Sequence, residues 1–241
     1  MPVELILLPL GVMAGALTQR VTGIGFALVC APILVLVAGP FQGVVLANLL
    51  GLTVSTLVFL ASWRDTEWVR GLLLAVPALI AIPVGAFVAR TTPPAVLMVA
   101  IGLLVILALG AVVLSERARV LHGRSGAAAA GAASGFMNVT AGVGGPAIVL
   151  YALSTGWEHR KFVATFQFYS IFVNLASLVA KGGLPRVSTL ALGLSFAGLA
   201  VGLAGGQILA RHVNHDAARR LAIGLALLGS VVTVVKGLLA W

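Results

Sequence analysis

Two glycine-rich stretches, residues 18–25 and 135–146, interrupt long apolar segments of the chain. Each combines hydrogen-bonding side chains with glycines. The candidate ligand-binding residues in them are Gln19, Arg20, Thr22, Gly23, Gly25, Asn138, Thr140, Gly142, Gly144 and Gly145. A helix that restarts after such a break presents unpaired N–H groups and the positive end of its dipole, which favour an anion. Glycine also lets the backbone approach a ligand closely. The two stretches therefore predict a small anion site.

Asn48 and Gln167 extend this candidate site. They are 119 residues apart, the same separation as Gly23 and Gly142. Arg20 is a lone charge between apolar segments, so it predicts either attraction of an anion from deep in the protein or a side chain that snorkels to an interface. The alternative for a single glycine is close helix packing, and for a single amide it is a hydrogen bond between helices.

The sequence does not indicate an enzyme. The motifs Gly-x-Ser-x-Gly, His-Glu-x-x-His and Gly-x-x-x-x-Gly-Lys are absent, and Cys30 is the one cysteine, which excludes an internal disulfide and a cysteine-based zinc site. No acid lies within the charge-free spans of the apolar segments, so no buried carboxylate relay is predicted. We expect no cofactor and no metal.

The composition shows which elements must position these residues. Of 241 residues, 61% are hydrophobic and 9% are charged, whereas soluble proteins carry about 25% charged residues. A water-soluble enzyme, a nucleic-acid binder and a disordered protein are thereby disfavoured. The spaces between charges predict an all-α polytopic membrane protein with apolar segments at 3–38, 41–62, 70–89, 95–115, 125–153, 161–180, 187–210 and 217–238.

Segments 3–38 and 125–153 are too long for one crossing of about 20 residues, and both contain a glycine-rich stretch. A broken helix is tolerated at membrane depth only where protein or a watery cavity surrounds it. We therefore predict that each segment is a re-entrant hairpin of two half-helices. Residues 1–10 hold one acid and no Lys or Arg, so no secretory signal peptide is predicted.

The chain also repeats internally with a period of about 120 residues. The matching tetrapeptides are Thr22-Gly23-Ile24-Gly25 with Ala141-Gly142-Val143-Gly144, and Ala100-Ile101-Gly102-Leu103 with Ala222-Ile223-Gly224-Leu225. Repeats of this length are typical of duplicated transporter halves. We predict one transmembrane domain built from repeats 1–120 and 121–241, each with a broken segment and three transmembrane helices.

The positive charges favour hairpins over full crossings. With two hairpins, the loops near 64–70, 117–124, 160–161 and 211–220 share one side and carry ten Lys and Arg, against four on the other side. The positive-inside rule then makes the repeats inverted and places both termini outside the cytoplasm. Eight full crossings remain the alternative. Because the basic residues follow topology, they indicate membrane lipid as a partner and no nucleic acid.

The glycine motifs at 22–26, followed by Ala31-Pro32, and at 142–146 resemble the duplicated motifs of the TauE/SafE sulfite exporter family. The glycine-rich segment 202–211 also resembles that family. This chain departs from the first motif at Phe26, where a further glycine would stand. The resemblance implies a plasma-membrane transporter of small anions such as sulfite, organosulfonates or short carboxylates.

The leading hypothesis is therefore a secondary transporter that exports small anions by alternating access, with its site at the paired helix breaks. The rival hypothesis is a non-transporting membrane scaffold or subunit, which needs neither paired breaks nor a buried Arg20. A homo-oligomer is compatible with either hypothesis.

Overall fold

The computed structural model describes residues 4–22, 25–114, 121–209 and 215–240. In this part of the chain the secondary structure is helical, with a 3₁₀ turn at Trp63–Asp65. The α-helices are α1 Glu4–Thr22, α2 Phe26–Ala38, α3 Pro40–Ser62, α4 Trp68–Thr91, α5 Pro94–Leu114, α6 Gly123–Ala141, α7 Gly145–Ser154, α8 His159–Lys181, α9 Thr189–Leu209 and α10 His215–Leu239. The predicted all-α class is confirmed, and the helix bounds follow the predicted segments closely.

Both over-long segments are divided as predicted. Segment 3–38 becomes α1 and α2, and segment 125–153 becomes α6 and α7. The second break is tight, because Gly142 ends α6 with a φ of +74° and its N–H donates to the Asn138 carbonyl at 2.9 Å. Glycine tolerates this left-handed backbone without the steric cost that other residues incur.

The two helices of each broken segment fold back on one another. In the first, Gly11 lies against Ile33 and Gly15 lies against Cys30, which makes α1 and α2 antiparallel. In the second, the Leu121 N–H donates to Ser154 Oγ at 3.4 Å, so residues at the two outer ends of the α6–α7 segment meet. Both segments are hairpins in this structure.

Five helical stretches are long and apolar enough to cross a membrane: 40–65, 68–91, 94–111, 159–181 and 189–209. Three shorter apolar helical stretches are 26–38, 145–154 and 223–239. Large apolar side chains on the long helices point outward; Ile80, Leu107 and Val179 are each 71% exposed. Exposed apolar surface on this scale matches a lipid environment. The number of crossings stays a prediction.

Helices from the two halves of the chain exchange partners. α1 packs along α9 and α4 packs along α6, so that the first helix of each half lies against the fourth helix of the other. Glycine makes both contacts close: a Cβ on Gly202 would lie 2.6 Å from the Met13 carbonyl oxygen, and a Cβ on Gly135 would overlap the Ala78 carbonyl oxygen. The central helices α3 and α8 also pack together, as do α5 and α10.

Candidate substrate-binding cavity

A cavity of about 50 Å³ lies where the two helix breaks meet α3 and α8. A single water needs about 10–15 Å³ measured in this way, so the cavity has room for a small solute. The polar side chains in its wall are Gln19, Ser55, Ser134, Asn138, Gln167, Tyr169, Ser170 and Asn174, and the second break contributes Gly142, Gly144 and Gly145.

At the first break, Gln19 caps the restarting helix. Its Oε1 accepts a hydrogen bond of 3.0 Å from the Phe26 N–H, the first backbone donor of α2. Gln19 is 5% exposed, so the pair forms inside the protein. The cap satisfies a donor that the start of a helix leaves unpaired.

At the second break, Asn138 builds a polar cluster instead of a cap. Its Nδ2 lies 3.0 Å from Asn48 Oδ1, 3.2 Å from Asn174 Oδ1 and 3.2 Å from Ser177 Oγ. These side chains come from α6, α3 and α8, and all are buried. Such a cluster ties three helices together, because an unpaired buried amide would cost free energy.

Gly144 is the N-cap residue of α7, and as a glycine it has no side chain that could cap the helix. Gly144 is instead tied to α6, since Ser134 Oγ donates to the Gly144 carbonyl at 2.7 Å. A Cβ on Gly144 would lie 2.7 Å from both the Ser134 carbonyl oxygen and Ser134 Oγ. Glycine is therefore required for this approach of α7 to α6.

The wall of the cavity is electrically neutral among the residues that the structure describes, with no Asp, Glu, Lys, Arg or His. It presents amides and hydroxyls, and the buried Tyr169 hydroxyl has no well-formed hydrogen bond in the described part of the chain. Neutral donors of this kind can hold an anion without the strong attraction of a fixed cation.

The structure brings six of the twelve predicted site residues into the cavity wall: Gln19, Asn138, Gly142, Gly144, Gly145 and Gln167. Asn48 stands directly behind them through its contact with Asn138. Gly25 is the N-cap residue of α2. Thr22 ends α1, and Gly23 falls outside the described residues.

Arg20 and Thr140 lie apart from the cavity wall. Arg20 is exposed, and its Nη2 donates to Gln207 Oε1 at 3.1 Å. The side chain of Arg20 is exposed beside the end of α9, and its depth in the membrane stays a prediction. Thr140 is buried, but its hydroxyl donates to the Phe136 carbonyl at 2.7 Å, a bond within its own helix that withdraws it from a ligand.

Sequence reasoning missed the hydroxyls of Ser55, Ser134 and Ser170 in the wall. One signal was available: Ser55 and Asn174 are 119 residues apart, and so are Gln19 and Asn138. Applying the repeat offset to every polar residue in the apolar segments would have found both pairs. Ser134 precedes Asn138 by four residues and so lies on the same face of α6.

The hairpins, the apolar exterior and the cavity between the breaks define a class, the helical membrane proteins in which two helix breaks face one another. The family model described as "Sulfite exporter TauE/SafE" matches residues 7–233, and the chain belongs to this family. It is therefore a multi-pass membrane protein of a transporter family whose members carry sulfur anions and are not enzymes. No curated protein and no solved structure gives a significant match.

Proposed function

We propose that this protein is a secondary transporter that exports small anions, with sulfite, organosulfonates and short carboxylates as the candidate substrates. The substrate binds in the cavity between the two helix breaks. The carrying observation is that both breaks, with neutral amides and hydroxyls and no carboxylate among the described wall residues, converge on one enclosed space. Family membership supports the sulfur anions among these candidates.

The wall favours a weakly held anion over a cation. An anion that leaves water must regain hydrogen bonds inside the protein, and here the backbone at the start of α7 and the amides and hydroxyls of the wall are the candidate donors. A cation would be favoured by carboxylate ligands, and the wall includes no carboxylate among the described residues. Binding without a fixed charge also eases release, which a transporter requires.

Alternating access follows from the exchanged packing of the two halves. α1 of the first half is held by α9 of the second, and α4 is held by α6. Two such bundles around a central site can rock against each other, as proposed for transporters built from inverted repeats. This supports the inverted arrangement of repeats 1–120 and 121–241, which remains a proposal.

The arrangement of charged residues supports the proposed orientation. Arg90, Lys181 and Arg186 gather around one cavity, as the hairpin topology requires for the side with few positive charges. Asp65 and Arg160, which that topology places on the other side, form an ion pair at 2.8 Å. We infer a protein of the plasma membrane with both termini outside the cytoplasm.

Flux in proteoliposomes tests the function. Purified protein is reconstituted, and counterflow of labelled sulfite, sulfoacetate and acetate is measured against protein-free liposomes. We expect saturable, protein-dependent flux of at least one of these anions and no flux of choline. If none of the anions moves faster than in empty liposomes, the non-transporting scaffold hypothesis replaces the transporter.

Cysteine labelling tests the hairpins and the orientation. Cys30 is fully buried, so a Cys30→Ala background carries no competing accessible thiol. Single cysteines at Ser115, which lies outside the described residues, and at Ser154 should both react with an impermeant maleimide from the cytoplasmic face. Labelling of the two from opposite faces would restore the eight-crossing alternative.

A further inference from the structure

A second cavity, of about 430 Å³, lies between the beginning of α3 and the ends of α4 and α8. Three cationic side chains line it: Arg90 from α4, Lys181 from the last turn of α8, and Arg186 from the segment that follows. Among the residues that the structure describes, no Asp or Glu lines this cavity. The positive charge is therefore uncompensated by the protein.

Lys181 is the unusual member of the group. It is 6% exposed, and its Nζ is buried without a hydrogen-bond partner among the residues that the structure describes. Among the described residues, Nζ makes a favourable contact with the ring of Phe41, whose centroid lies 4.5 Å from it. A cation–π contact of this kind contributes about 0.5–2 kcal/mol, less than the several kcal/mol that desolvating an ammonium group costs.

The two arginines add to the positive field and do not relieve it. Arg90 Nη2 donates to the Ala180 carbonyl at 2.6 Å, one residue before Lys181. The Arg186 N–H donates to Gln42 Oε1 at 2.8 Å, which fixes the backbone there while the guanidinium group lines the cavity. Like charges held this close repel one another in a partly desolvated site.

The ion pairs found in the described ranges lie elsewhere. Glu67 pairs with Arg70, Asp65 with Arg160, and Glu158 with Lys161. The last two pairs are at the beginning of α8, whereas Lys181 is at the end of that 23-residue helix, roughly 34 Å away at 1.5 Å per residue. These acids are therefore too distant to neutralise Lys181.

We propose that this cationic cavity is a second anion site, which binds a group with several negatively charged oxygens between Lys181, Arg90 and Arg186. A soluble oxyanion and the phosphate of an anionic lipid share this chemistry. Either would give the buried ammonium group the charged hydrogen-bond acceptor that it lacks. The site is separate from the central cavity and does not depend on transport there.

Thermal unfolding of the full chain in an uncharged detergent tests the site with inorganic sulfate as the probe. Sodium sulfate is titrated against sodium chloride at constant ionic strength. A ligand that binds only the folded protein raises Tm, and at about ten times its Kd the expected rise is about 3–6 °C. Lys181→Met should lose this rise while remaining folded, because removal of a buried unpaired charge is not destabilising by itself.

Three further variants make the result specific. Arg186→Gln, an exposed position, should shift the sulfate midpoint to at least several-fold higher concentration. Lys161→Gln, which removes a cation at the opposite end of α8, should keep the wild-type response. Asn138→Ala, which disrupts the central cavity, should also keep the Lys181-dependent part of the rise, so failure of the central site is distinguished from failure of this one.

A lipid arm separates the two sources of the anion. The same unfolding experiment is repeated in bilayer discs of phosphatidylglycerol and of phosphatidylcholine. A Lys181-dependent rise with sulfate identifies a soluble oxyanion site, and one seen with phosphatidylglycerol alone identifies a lipid phosphate site. If Lys181→Met responds like the wild type in both arms, or if neither arm stabilises the wild type, the proposal is overturned.

Discussion

The two helix breaks use equivalent residues for different purposes. Gln19 and Asn138 are 119 residues apart and both reach the central cavity. Gln19 folds forward along its own hairpin and caps the Phe26 N–H, whereas Asn138 reaches sideways to α3 and α8. The side chains differ by one methylene group, which decides whether the amide reaches the next helix in its own hairpin.

This difference makes the two halves of the cavity unequal. The first backbone donor of α2 is occupied by Gln19, whereas Asn138, the equivalent residue of the second break, bonds to side chains of α3 and α8. We propose that an anion in the cavity uses backbone donors at the start of α7. The duplicated halves share a common framework but use their equivalent amides differently.

Closing the second break should have the largest effect. Gly144→Leu places a side chain where a Cβ would already lie 2.7 Å from two oxygens of Ser134, so α7 must move and the cavity must fill. We expect anion flux in proteoliposomes to fall at least about 100-fold, which corresponds to about 2.7 kcal/mol, with a lower Tm. Gly193→Leu is the control, because a Cβ there meets open space. Flux near the wild-type rate in Gly144→Leu would exclude this break from the site.

Removing the amide at each break should separate their roles. Asn138→Ala leaves the buried amides of Asn48 and Asn174 without a partner, and we expect a loss of about 1–3 kcal/mol in unfolding free energy together with reduced flux. Gln19→Ala removes a cap and should cost about 0.5–2 kcal/mol. Unfolding in detergent measures both, with Thr233→Ala as a control away from the breaks. Equal flux losses in the two variants would contradict the proposed asymmetry.

Exchanging the two amides tests the same comparison with smaller expected losses of stability and flux. Gln19→Asn shortens the side chain so that it no longer reaches the Phe26 N–H, and we expect a loss of about 1 kcal/mol with little change in flux. Asn138→Gln adds the methylene group and is expected to cap the start of α7, which should raise the half-saturation concentration several-fold. A lowered half-saturation concentration would mean that the open helix start does not contact the anion.

The smallest effect is expected at Arg20. Sequence reasoning left this charge between anion attraction and snorkelling to an interface, and in the structure the side chain is exposed and bonded to Gln207. Arg20→Gln should therefore leave the half-saturation concentration within about twofold of the wild-type value. Flux titration at low ionic strength, where surface charges act most strongly, gives the strictest check. A tenfold rise in the half-saturation concentration would show that Arg20 contributes to anion binding.

The helices and their breaks were predictable because the charges stand at helix ends and the glycine stretches divide the over-long segments. The convergence of Gln19, Asn138 and Gln167 on one cavity followed from the repeat. The burial of Lys181 could not be predicted in this way. The sequence places it at the edge of an apolar segment, a surface position, yet it is buried. Its burial depends on how α3 packs against the end of α8, which no local pattern specifies.

The exchange of helices between halves also constrains how the protein is made. α1 packs against the glycine-lined surface of α9, which is synthesised nearly two hundred residues later, and α4 packs against α6, which is also synthesised after it. Contacts between residues so distant in sequence form late. The first half must therefore remain in the bilayer with unfilled helix surfaces until the second half emerges from the ribosome. Neither half is a finished folding unit, and the native bundle assembles only when translation of the chain is nearly complete.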